Sequence, residues 1–100
     1  MRVISKQTLR RFWTGAERRT DARRALEAWH REARRARWVS PQDIKRQYST
    51  ASILKGGRVV FNICGNRYRL VVKINYPAGI VFVRFIGTHA QYDAIDAETV

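Results

Sequence analysis

A chain of 100 residues with 45% hydrophobic and 11% aromatic content can pack one core, so a single domain over residues 1–100 is expected. The lone cysteine, Cys64, excludes a disulfide framework and a cysteine-based zinc cluster, and no apolar run longer than Ile80 to Val83 is available to span a membrane. Twenty Lys+Arg against eight Asp+Glu give a net charge of +12, which points to a polyanionic partner.

Met1 leads directly into a patterned segment without a signal-peptide core, so a small, soluble, cytoplasmic protein is expected. Met1 to Ile4 reads as a short strand. Ser5 is placed to cap a helix running to about Thr14, with Leu9, Phe12 and Trp13 on one side and Gly15 as its stop. A second helix, Thr20 to Arg37, is capped by Thr20 or Asp21. Its Ala22, Ala25, Leu26, Trp29, Ala33 and Ala36 fall at helical spacing, and Arg23, Arg24, Arg31, Arg34 and Arg35 line the other side. Ser40-Pro41-Gln42-Asp43 starts a third, short helix that ends near Tyr48.

After Ser49 the period changes from helical to alternating. Lys55-Gly56-Gly57 breaks the chain. From Arg58 to Cys64, Val59, Phe61 and Ile63 share one face, and Arg58, Val60, Asn62 and Cys64 share the other. Gly65-Asn66 signals a hairpin. From Arg67 to Asn75 the alternation resumes, with Tyr68, Leu70, Val72 and Ile74 opposite Arg67, Arg69, Val71 and Lys73. Ile80 to Gly87 is nearly all apolar, as in a central strand covered on both faces, and Thr88 caps a last short helix. The fold class expected is α+β: a small, mostly antiparallel sheet, made of the N-terminal strand and a three-stranded meander, with N-terminal helices on one face.

The helices then cover the Val59/Phe61/Leu70/Val72 face. The other face displays Arg58, Asn62, Arg67, Arg69 and Lys73, joined by Arg84. The first 50 residues carry 14 bases and 5 acids and the last 50 carry 6 and 3, so the bulk charge is helical while a few bases are set among strand residues. Arginine offers a planar fork that matches phosphate oxygens and never loses its charge. A solvated strand face is the other reading of this row, and a solvated helix face the other reading of the arginine stripe. His30, beside Trp29, reads as structural. His89, Tyr92 and Asp93 fall at i, i+3 and i+4, which suits either an acid–base cluster or the packing of the last helix. Glycine-rich phosphate loops, HExxH and GxSxG are absent from the sequence, and Cys64 reads as a small apolar filler. What remains is phosphodiester cleavage by an RNA 2′-hydroxyl, with Arg69, Arg84 and Lys73 on the phosphate and His89 or Tyr92 moving protons. No metal or cofactor enters this scheme.

Met1 to Ser5, Val60 to Leu70 and Phe85 to Asp93 together resemble the HigB toxins, RelE-like members of type II toxin–antitoxin systems. The resemblance implies an mRNA interferase that cuts mRNA on the translating ribosome and is held inactive by a helix-turn-helix antitoxin of the HigA type; the short apolar runs separately lead one to expect no membrane partner. The resemblance also implies a RelE-like fold and a site at Asn66 and Arg69 in the hairpin, Arg84 on the following strand, and His89 and Tyr92 after it. The alternative is a noncatalytic RNA- or ribosome-binding module that blocks translation.

Overall fold

The computed structural model describes residues 1–15 and 18–100. Its elements in chain order are β1 (Arg2–Ile4), α1 (Lys6–Thr14), α2 (Thr20–Arg35), α3 (Pro41–Gln47), β2 (Ser52–Ile53), β3 (Arg58–Ile63), β4 (Tyr68–Asn75), β5 (Ile80–Thr88) and α4 (His89–Asp93). The five strands form one sheet in the order β1-β5-β4-β3-β2, with β1 parallel to β5 and every other pair antiparallel. This is the expected α+β architecture, extended by β2, which is too short to carry a periodic signal of its own. The hairpin between β3 and β4 turns through Cys64 and Gly65, both at positive φ (54° and 66°), a conformation that costs glycine little and other residues more.

One face of the sheet is built from three cross-strand rows: Val59–Val72–Val83, Phe61–Leu70–Ile86 and Ile63–Tyr68–Thr88. Against it pack Leu9 and Trp13 of α1, Ala22, Leu26, Trp29 and Ala33 of α2, Ile44 of α3, and Trp38. Phe61 is the centre of this layer. Trp29 and Tyr48 meet its ring edge-on at 5.4 and 5.1 Å, and Trp38 lies stacked at 6.0 Å. Packing rather than capping holds the first three helices. Ser5, Arg19 and Ser40 occupy the cap positions without a side-chain cap bond. A cap contributes about 1 kcal/mol, and each fully buried Leu, Ile or Phe contributes about 1.5–3 kcal/mol. His30 is buried on α2, and that burial, with Lys6 and Arg34 nearby, lowers its pKa, in keeping with a structural role.

Further expectations need correction. Neither Thr20 nor Asp21 caps α2: the helix starts at Thr20, and the Asp21 carboxylate is turned to the hairpin. The same helix stops at Arg35, because Ala36 is already extended. The apolar strand β5 is interior to the sheet but not its middle strand, and its two faces are only partly covered. It lies between β1 and β4, and only Val81 and Gly87 in it are fully buried, whereas Leu70, Val71 and Val72 of β4 are completely enclosed. Finally, the far face of the sheet is not an open basic surface, since residues 94–100 return across it and build a second small core.

Candidate functional site

The far face has three tiers, each read directly from the strand register. At one end lies the row Asn62–Arg69–Gly87. In the middle lies Val60–Val71–Phe85, and at the other end Arg58–Lys73–Phe82. The middle tier is apolar, and Ala97 completes its buried cluster, with Leu54, Tyr92, Ile95 and Val100 packed around it. A bulge produces this arrangement. The register of β4 against β5 slips between Val71 and Val72, so that Val71 faces Phe85, Val72 faces Val83, and Arg84 is the extra residue. The slip returns Phe85 to the far face and Ile86 to the helical core.

At the first end, Arg69 is folded onto the hairpin turn. One Nη donates to the Asn66 side-chain oxygen at 2.6 Å, and the other to the Asn66 main-chain oxygen at 3.1 Å. Gly87 is opposite Arg69, and β5 runs on from it into α4. Thr88 caps α4 as expected, through a reciprocal pair. The Gln91 amide donates to Thr88 Oγ1 at 3.2 Å, and the Thr88 amide donates to Gln91 Oε1 at 2.8 Å. The His89 amide donates to the Arg67 main-chain oxygen at 3.1 Å, which ties the start of α4 to the hairpin. The i, i+4 spacing does bring His89 and Asp93 together, with Nδ1 3.1 Å from the carboxylate. Their side chains stay 50% and 62% exposed, so a substrate can reach them. Tyr92 is turned the other way, onto the middle tier.

At the second end, Arg58 and Arg84 converge on one acceptor. Arg58 donates through Nε (3.3 Å) and Nη2 (2.9 Å), and Arg84 through Nε (3.3 Å), to the main-chain oxygen of Val100. Lys73 and Arg84 border a depression of about 250 Å³ shared with Ile74, Asn75 and Phe82. The expected residues thus form two groups. Asn62, Asn66, Arg69 and His89 stand at one end, Arg58, Lys73 and Arg84 at the other, and Tyr92 lies between them over the apolar middle.

Arg67 leaves this face altogether. It lies in the turn, before β4 begins, and its guanidinium pairs with Asp21 of α2. Asp21 also accepts from the Tyr68 hydroxyl at 2.8 Å. The Tyr68 bond first, then the Arg67 bond, hold the Asp21 carboxyl below its ordinary pKa. Asp21 carried no sign of this role in the sequence, where an acid in a first helical turn reads as a local helix-end residue.

A profile of the HigB_toxin family, described as the RelE-like toxic component of a toxin-antitoxin system, matches residues 22–95. The chain belongs to the HigB toxin family. A search of curated proteins finds no match to it. The matched stretch runs from the second residue after the start of α2 to just past α4, so it takes in both ends of the far face and every residue singled out above except Asp21, Ala97 and Val100. As a HigB-family toxin the protein is the toxic half of a toxin–antitoxin pair, and an antitoxin is its partner. No helix among the described residues is long and apolar enough to cross a membrane.

Proposed function

We propose that this toxin is an mRNA interferase: an endoribonuclease that cuts mRNA, on the translating ribosome, by attack of a 2′-hydroxyl on its own phosphate. The observation that carries the reading is the pairing of Arg69 with Gly87, which sets a fixed cation beside the start of α4 and its exposed His89–Asp93 pair. In the reaction the 2′-oxygen bonds to phosphorus while its proton is removed, and the 5′-oxygen leaves and takes up a proton. The products are a 2′,3′-cyclic phosphate and a 5′-hydroxyl end. Arg69 is suited to the phosphorane charge, because Asn66 already orients its guanidinium. His89, oriented by Asp93, is suited to proton transfer, and the Tyr92 hydroxyl is the second candidate. Arg58, Asn62, Lys73 and Arg84 extend the contact along the RNA. In this reading Arg67 acts through the hairpin it anchors. The partner is a HigA-type helix-turn-helix antitoxin. The exposed arginines of α2, among them Arg24 and Arg31, supply sequence-independent attraction to ribosomal RNA.

Single-turnover cleavage on programmed ribosomes at saturating toxin tests this. Arg69→Ala is expected to lose at least about a hundredfold in rate, the usual loss for one transition-state charge donor. His89→Ala and Tyr92→Phe should each lose about tenfold to a thousandfold. Arg24→Ala should weaken association and leave the cleavage step intact. Folded Arg69→Ala and His89→Ala variants that cut at the wild-type rate would move the site elsewhere. Arrest of translation with every message left whole would favour a noncatalytic binding module.

A further inference from the structure

Among the described residues, Phe82 packs into neither apolar cluster. Its neighbours in β5 are assigned on both sides: Val81, Val83 and Ile86 pack with the helical layer and Phe85 with the second cluster, but the Phe82 ring packs with neither. It is half-buried, on the far face, in register with Lys73 of β4 on one side and Ile4 of β1 on the other. It lines the depression of about 250 Å³ whose other walls are Lys73, Ile74, Asn75 and Arg84.

Phe82 shares this depression with Lys73 and Arg84, so a partly exposed aromatic ring and two cations are offered together. The positive side chains next to the ring disfavour a cationic ligand and favour an anionic one. A single-stranded nucleotide supplies both needed parts, a π-face to stack on the ring and a phosphate for Lys73 and Arg84. Asn75 adds a polar group at the rim. Its Oδ1 accepts from the Ala78 amide at 3.1 Å, which orients the side chain and leaves its NH2 donors for a base edge. We infer that Phe82, with Lys73, Arg84 and Asn75, forms a stacking subsite for one unpaired RNA base at the end of the sheet away from His89. This rests on the RNA-cleavage reading above and adds to it a place where the message is gripped without being cut.

The test uses purified toxin and short 2′-O-methyl RNA, which cannot be cleaved, with one 2-aminopurine moved along a series of oligonucleotides. Anisotropy reports binding, and aminopurine fluorescence reports stacking. Wild type should quench one position in the series. Phe82→Leu, which keeps an apolar side chain of similar bulk, should remove that quench and weaken binding by about fivefold or more, the range for loss of one base–aromatic stack. Phe82→Trp should restore both. If Phe82→Leu binds as tightly as wild type with the quench unchanged, the stacking subsite is wrong and the RNA reading stands. If wild type binds none of the oligonucleotides at low salt while still arresting translation, RNA contact by this face fails, and the subsite fails with it.

Discussion

Asp21 accepts from four donors among the described residues, one of them the Cys64 thiol at 3.9 Å. Its carboxylate also accepts from Ala22 in its own helix, from the Tyr68 hydroxyl in β4 and from Arg67 in the hairpin turn. Because its folded pKa is depressed, the stabilisation it contributes is fully present above its unfolded pKa and is lost as pH falls through the folded value. Asp21→Asn should therefore flatten the dependence of thermal stability on pH between neutrality and the carboxylate range. The wild type should lose stability in acid more steeply than the variant, and identical slopes in calorimetric scans would show that the contact contributes little. Arg67 also marks where alternation stops being a guide. Side-chain direction within a strand is a local property, and for Arg58, Asn62, Arg69 and Lys73 the period of two placed them on the correct face. Arg67 stands one residue before β4, in a turn, where the period has no hold, and its direction is set by a carboxylate 46 residues away in sequence. His89 and Asp93 were legible for the opposite reason, since their contact is fixed by one turn of a helix.

At the scale of elements, the junction of β5 and α4 depends on Gly87. A Cβ there would meet Phe85 Cζ at 2.5 Å and Gln91 Oε1 at 2.8 Å. Gln91 is one half of the reciprocal cap on α4, so Gly87→Ala forces either the ring or the cap to move. The expected cost is about 1–3 kcal/mol, as for other overpacked sites, seen as a lower melting midpoint. On the proposed mechanism it also lowers cleavage, because His89 is displaced with the cap. A midpoint equal to wild type with α4 amides exchanging at the wild-type rate would overturn this. The composition of β5 invited a different picture. Its Val, Phe and Ile run suggested a strand enclosed on both sides, but the apolar residues are distributed among the helical core, the second cluster and the half-buried Phe82. The bulge that sorts them belongs to the pairing of two strands, so no property of β5 by itself announces it. The strand order, with β1 added parallel at the edge, likewise depends on where the helices return the chain.

For the whole molecule, the least legible feature was the course of residues 94–100. Ile95, Ala97 and Val100 are too widely spaced among polar residues to read as a layer, and they acquire one only because Val60, Val71 and Phe85 offer an apolar tier to cover. Arg58 and Arg84 share a single oxygen of Val100, whereas a phosphate offers several charged acceptor oxygens to two guanidinium groups. If RNA reaches that end of the face, its phosphate should replace the Val100 oxygen. Amide exchange within residues 96–100 should then rise on addition of non-cleavable RNA, measured by mass spectrometry. Unchanged or greater protection would show that RNA passes without touching Arg58 and Arg84. The covered middle tier also sets a scale along the message. Arg69 and Lys73 are four residues apart on β4, about 13 Å at the rise of a strand, with Val71 and its cover between them. On the proposed function, the face works as a ruler with marks only at its two ends: a fragment too short to span the gap can be held or cut, and only a longer strand can be both.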